Sequence, residues 1–128
     1  VTLTAPTVPN YQFNYWDVDG TSQGVGVNPI TVHMNAPRTA IAHYAEILPL
    51  SVSISPTTAK IKIGESVAFT SSVSGGEPPY AYQWYLNDSA VPDATSASWT
   101  FTPEASGTYI VYLIVTDSLG TTAKSNEA

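Results

Sequence analysis

The chain has 128 residues, of which 43% are apolar and 11% charged, with ten Asp and Glu against four Lys and Arg and a formal net charge of −6. Four scattered cations, Arg38, Lys60, Lys62 and Lys124, cannot supply the clustered positive charge that displaces counterions from nucleic acid or holds an anionic membrane surface. The absence of cysteine excludes thiolate zinc sites, disulfides and a cysteine nucleophile, and no apolar run approaches the roughly 20 residues of a bilayer span.

In chain order the pattern is that of strands. Val1 to Ala5 alternates Val1, Leu3 and Ala5 on one face, and Tyr11 to Val18 sets Tyr11, Phe13 and Tyr15 against Trp16 and Val18. Asp19 to Pro29, rich in Gly, Ser, Asn and Gln, reads as a loop. Ile30 to Met34 is a short strand, Asn35 to Arg38 a turn, and Thr39 to Ile47 a strand with Ile41, His43 and Ala45 opposite Ala40, Ala42 and Tyr44. Leu48-Pro49-Leu50 is short and apolar and marks a fairly stiff junction between residues 1–48 and residues 49–128.

Beyond the junction, Val52 and Ile54, then Ile61 and Ile63, alternate around a break at Pro56-Thr57-Thr58. Val67, Phe69, Ser71 and Val73 form the next strand, and Gly75-Gly76-Glu77-Pro78-Pro79 a turn. Tyr80, Tyr82, Trp84 and Leu86 alternate with Ala81, Gln83 and Tyr85 before a turn at Asn87-Asp88-Ser89. Trp99 and Phe101 share a face, Tyr109 to Val115 alternates after Gly107, and Ser118-Leu119-Gly120 turns into a last strand from Thr121 to Ala128. Short strands separated by regular turns make an all-β chain: two small antiparallel β domains in tandem, the second an Ig-like β-sandwich. Trp84 takes the place of a central indole and Tyr109 that of a tyrosine corner. Cysteines usual to such a sandwich would fall near Ser71 and Val111, so packing of Trp84 against Phe69, Trp99 and Val111 must join the sheets instead.

Residues 50–128 resemble a PKD or bacterial Ig-like domain. The resemblance rests on Gly64-Glu65-Ser66-Val67-Ala68-Phe69-Thr70, Ser74-Gly75-Gly76 with Pro78-Pro79-Tyr80, Tyr82-Gln83-Trp84-Tyr85-Leu86-Asn87, Ser106-Gly107-Thr108-Tyr109 and Val115-Thr116-Asp117-Ser118-Leu119-Gly120. Residues 1–48 are similar to the second half of a divergent internalin-type B repeat. That likeness is carried by Val1-Thr2-Leu3-Thr4-Ala5, Tyr11-Gln12-Phe13 with Trp16-Asp17-Val18-Asp19-Gly20, Asn28-Pro29-Ile30-Thr31-Val32 with Met34-Asn35, and Ala42-His43-Tyr44. Both resemblances imply an extracellular location on archaeal or bacterial cell surfaces, where such domains act as spacers and adhesion modules or accompany secreted hydrolases. Against the repeat pattern about two strands are wanting before Val1, and the final strand stops short at Ala128. With no Met at its start, the chain reads as an excised piece of a longer array or as a subunit that takes a strand from a neighbouring copy.

Candidate sites weigh little. Asp17 and Asp19 before Gly20 could begin a calcium loop, but the later ligands of such a loop are not in the sequence, which favours a turn. His33 and His43 could lie on neighbouring strands, short of the further ligands zinc needs. Glu46, Glu65, Glu77 and Glu104 fall at strand ends or turns, and no Ser sits in a nucleophile motif, so neither a catalytic residue nor a cofactor or metal is expected. Tyr85 and Tyr112 have the parity of the outer sheet face, where they pair across strands, form a protein interface or stack on a sugar. Asn87-Asp88-Ser89 is an N-x-S sequon that can accept a glycan in a secreted protein. The function expected is non-enzymatic: a cell-surface spacer or pilus-like filament subunit built from copies of itself, with a carbohydrate-binding accessory module as the alternative.

Overall fold

The computed structural model describes all residues from Val1 to Ala128. Every regular element is a strand. The chain divides into two compact units, Val1–Ile47 and Leu48–Ala128.

In the first unit, β1 (Thr2–Leu3) pairs antiparallel with β4 (Ile30–Thr31), and Val1 and Val32 extend the ladder through two backbone hydrogen bonds of 2.8 Å. Both strands are shorter than the alternation predicts. The Asn28 side chain is the reason: it accepts from the Ala5 N–H at 2.9 Å and donates to the Ala5 carbonyl at 3.3 Å, taking the place of a strand partner. A second sheet has the order β3-β2-β5, with β2 at Tyr11–Val18, β3 at Thr21–Val25 and β5 at Ala40–Glu46.

Two expectations are corrected here. The segment expected as a loop from Asp19 to Pro29 contains β3, because Asp19 (φ 52°) and Gly20 (φ 81°) both adopt the left-handed backbone of a two-residue hairpin turn between Val18 and Thr21. Phe13 and Tyr15 do not share a face either. The β2–β5 register shifts between them, and one inserted residue reverses side-chain parity. Phe13 therefore lies with Trp16, ring centroids 6.0 Å apart, while Tyr15 turns away and stacks on His43 at 4.5 Å. The resulting core is small: Ala5, Trp16, Ile30 and Val32 are buried, with Phe13, Val18 and Tyr44 packed partly against them.

The second unit is a sandwich. One sheet has the order β10-β7-β6, from β6 (Ser51–Ser55), β7 (Val67–Ser74) and β10 (Ser98–Phe101). The other has the order β12-β11-β8-β9, from β8 (Ala81–Leu86), β9 (Ser89–Ala90), β11 (Val111–Thr116) and β12 (Thr122–Lys124). Alternation sends Val52 and Ile54 inward from β6, Phe69 from β7, Trp84 from β8 and Val111, Leu113 and Val115 from β11. Trp84, Leu113 and Val115 are wholly enclosed, and each large side chain so buried contributes about 1.5–3 kcal/mol.

The expected aromatic joint between the sheets is present. Trp84 lies 6.2 Å from Phe69 and 6.0 Å from Trp99, and its indole N–H donates to the Ser96 carbonyl at 2.8 Å. Ile61 and Ile63, by contrast, belong to no strand, and Ile63 is exposed. The backbone there curls instead: Glu65 accepts from the Lys62 N–H through its carboxylate at 2.9 Å, and Gly64, at φ 84°, donates to Pro103.

Candidate functional site

Two polar side chains of the sandwich, Tyr109 and Asp117, brace its turns. Tyr109 donates its hydroxyl to the Ala105 carbonyl four residues upstream at 2.7 Å, the bond that defines a tyrosine corner. Asp117, almost fully buried, joins two loops distant in sequence. Its Oδ1 accepts from the Leu119 and Thr121 N–H groups at 3.0 and 2.8 Å, and its Oδ2 from the Glu77 N–H at 3.2 Å. Burial alone pushes this carboxyl up, but the backbone donors of Thr121, Glu77 and Leu119 outweigh it and hold Asp117 below the usual aspartate value. A Cβ added to Gly76 would stand 3.0 Å from Asp117 Oδ2, and one added to Gly75 would collide with the Pro49 carbonyl oxygen, so this corner admits only glycine.

A second brace links the two sheets near the chain's far strands. Asn126 accepts from the Ile54 N–H at 2.9 Å and donates to the Ile54 carbonyl at 3.2 Å. Ser125, also buried, accepts from the Leu113 N–H at 2.9 Å. Ala128 then exchanges two backbone bonds of 3.0 Å with Val111. Asp117 is visible in the sequence only as part of a turn motif. Asn126 carries no local signal, because its partner lies 72 residues away.

Tyr85 and Tyr112 are directly opposed on β8 and β11, and their rings stack at 5.0 Å and 6°. Tyr112 is not an exposed ring: at 7% accessibility it is covered, with Lys124 Nζ 3.9 Å from its centroid. Burial, then the neighbouring Asp88 carboxylate, pushes its phenol up. Lys124 also pairs with Glu127 at 2.7 Å, which raises its own value.

Asn87 (φ 48°) and Asp88 (φ 63°) form the exposed hairpin turn between β8 and β9, the sequon's Asn accepting from the Ile110 N–H at 2.9 Å. Asp17 and Asp19 are not gathered for a cation. Asp17 accepts from the Gly20 N–H at 2.7 Å, while Asp19 accepts from the Thr39 N–H and pairs with Arg38 at 2.8 Å. Those two contacts, Thr39 first, hold Asp19 below its usual value. His33 and His43 are not on paired strands: His43 is on β5, and His33 lies beyond β4, its carbonyl bound by Arg38. No group of three or more His, Asp or Glu side chains converges. Glu46 ends β5 and Glu65 caps its own turn.

A two-sheet sandwich with a central indole, a tyrosine corner and its buried Asp117 and Ser125 committed to internal hydrogen bonds is an Ig-like module. The PKD-domain family profile matches residues 52–128, and the chain belongs to the PKD-domain family. The decoration protein of Escherichia phage T5 is 40% identical over 75 residues, which is 55% of this chain and 44% of that relative. The chain thus spans less than half the length of the curated relative it matches. The family match starts at Val52 and does not reach residues 1–48, for which the internalin-type repeat is not shown.

Proposed function

We propose that the chain is a non-catalytic extracellular module that works as a cell-surface spacer and transmits tension along its sandwich. The observation that supports this is the direction of two strands. Leu48 to Leu50 lies beside Gly75 and Gly76 at the corner braced by Asp117, and β6 leaves that corner. β12 leaves the same corner, since its ladder to β11 begins at Thr116–Thr122 and proceeds toward Val111. The two strands run in the same direction, and Asn126 joins the second to Ile54 in the first. Tension applied at Leu48 and Ala128 then loads that link in shear, where its bonds must fail together rather than one by one.

Family membership supports the structural reading, and the name of the phage relative, a decoration protein, describes a structural rather than a catalytic role. The finer form of the proposal is a spacer in a surface array or a filament subunit whose copies meet through β-strand contacts, donor-strand exchange among them. Tyr85 is the proposed protein-interface residue, with the covered Tyr112 ring only backing it, and Asn87 is the proposed glycan acceptor in the exposed turn. The carbohydrate-platform alternative is weaker, because the Tyr112 ring lies under Lys124 and against Tyr85.

Single-molecule pulling tests the reading. Asn126→Ala is expected to lower the unfolding force when the domain is held at residues 48 and 128, and to leave it nearly unchanged when held at residues 87 and 107. Equal loss in both directions would sink the tension-bearing role.

A further inference from the structure

Of the two edge strands in the sheet β3-β2-β5, one is guarded against pairing and the other is not. β3 carries Gly24 at φ 94°, and its register with β2 slips between Tyr15 and Asp17, which bends that edge out of a flat ladder. β5 (Ala40–Glu46) is regular over its seven residues, because the slip at Phe13/Tyr15 puts the extra residue on β2. It contains no Pro and no Lys, and its one acidic residue, Glu46, stands at its end. The backbone groups on its outer edge can be assigned. The Thr39 carbonyl accepts from Asp19 and the Ile47 N–H donates to Asn10, so odd-numbered residues turn toward β2. Backbone direction alternates along a strand, so Ala40, Ala42, Tyr44 and Glu46 direct their N–H and C=O groups away from β2, the strand that β5 pairs with.

We infer that the β5 edge is an interface between two copies of the chain, joined antiparallel about a two-fold axis at His43. The inference deepens the proposal that copies meet through strands, and rests on that reading for its partner. What selects a second copy is the strand's complementarity to itself. With His43 opposite its own copy, Ala42 meets Tyr44 and Ala40 meets Glu46, so every outward-directed residue faces another and exchanges two backbone bonds with it. Sliding the pairing by two residues leaves one of these four without a strand partner.

The side chains fit the same register. On the outer face the exposed Ile41 meets Ala45, and on the core face Tyr44 meets Ala42, so each bulky group is opposed by a methyl. The two Glu46 carboxylates fall at opposite ends of the pair and do not repel. Within one copy Val25, Tyr15 and His43 form a row across the three strands, with the Tyr15 ring stacked on His43 at 4.5 Å. Across the axis this row runs on into its own copy, and two three-stranded sheets become one of six.

Cross-linking of the whole chain reads the register directly, since it has no cysteine of its own. In the proposed pairing the two His43 Cα atoms lie about 4.5 Å apart, within disulfide reach, whereas the two Ile41 Cα atoms are offset along the strand by about 13 Å. His43→Cys is expected to convert mostly to a disulfide dimer in air, and Ile41→Cys to stay monomeric. Sedimentation supplies the second test, in which the unaltered chain should dimerise as its concentration rises. Ile41→Lys with Ala45→Lys sets like charges opposite each other and should lose the dimer, while Ile41→Lys with Ala45→Glu sets opposite charges there and should keep it, both at an unchanged Tm. No dimer from His43→Cys, equal dimer from both cysteine variants, or a dimer that survives the double lysine change would overturn the proposal. The pulling experiment loads the other unit, so loss of the dimer with the Asn126 force difference intact would strike this interface alone.

Discussion

The two units bury their aromatic residues in different ways. In Leu48–Ala128, Trp84 has no exposed surface and its N–H reaches the Ser96 carbonyl, so the largest side chain brings no unpaired polar atom into the core. In Val1–Ile47, Trp16 is also buried, yet its Nε1 has no hydrogen-bond partner. Around Trp84 stand seven other buried residues, six of them on strands of the two sheets; around Trp16 stand three. A core of the first kind can select a single arrangement, since any shift of Trp84 would cost both contacts and a buried hydrogen bond. The second kind holds its indole by shape alone and already carries the cost of an unmet donor.

The largest effect should separate the units. Trp84→Ala is expected to cost about 3–5 kcal/mol and to unfold the sandwich at moderate denaturant, read from a urea titration. The Phe substitutions sharpen the contrast. Trp84→Phe strands the Ser96 carbonyl and loses volume, whereas Trp16→Phe loses volume but also removes an orphan donor, so it should cost less. Equal costs would erase the distinction between the two cores.

Next in size are two glycines with the same backbone hand. Gly120→Ala (φ 83°) meets nothing within 4 Å and should cost only the ~1–2 kcal/mol of a left-handed backbone. Gly75→Ala (φ 67°) adds a collision with the Pro49 carbonyl and should cost clearly more, measured as the difference in urea midpoint. If both cost the same, the brace between the β7 turn and Pro49 is looser than described.

The smallest effect is electrostatic and again differs between units. Asp117 and Asp19 both titrate below the usual aspartate value when folded, so the unfolded chain binds their protons more readily. Stability from each is therefore full above the ordinary carboxylate range, about pH 4, and is lost as pH falls through the folded-state value. Asp117→Asn should flatten the acid limb of the second unit's Tm profile. Asp19 owes part of its shift to an exposed Arg38 pair, so added salt should shrink its contribution, while the backbone donors around Asp117 keep theirs.

Much of the sandwich could be read from the chain because its signals are local. Trp84 in an alternating strand, Gly107-Thr108-Tyr109 before β11 and the Asp117-Ser118-Leu119-Gly120 turn each carry their meaning within a few residues. The first unit misled where one residue resets a period. The bulge after Phe13 exchanges the faces of Tyr15 and Trp16, and no residue type announces it. β3 was hidden by its Gly, Ser and Gln, although Asp19-Gly20 is a hairpin signal in its own right. The reach of Asp117 to Glu77 and of Asn126 to Ile54 could not be read at all, since each joins segments that only folding brings together.

The most direct test of the account is amide exchange in increasing denaturant, followed residue by residue. Two opening free energies are predicted, the higher for β8 and β11 around Trp84 and the lower for β2 and β5 around Trp16. If the amides of all four strands opened together at a single free energy, the two units would share one cooperative core, and the contrast drawn between them would be wrong.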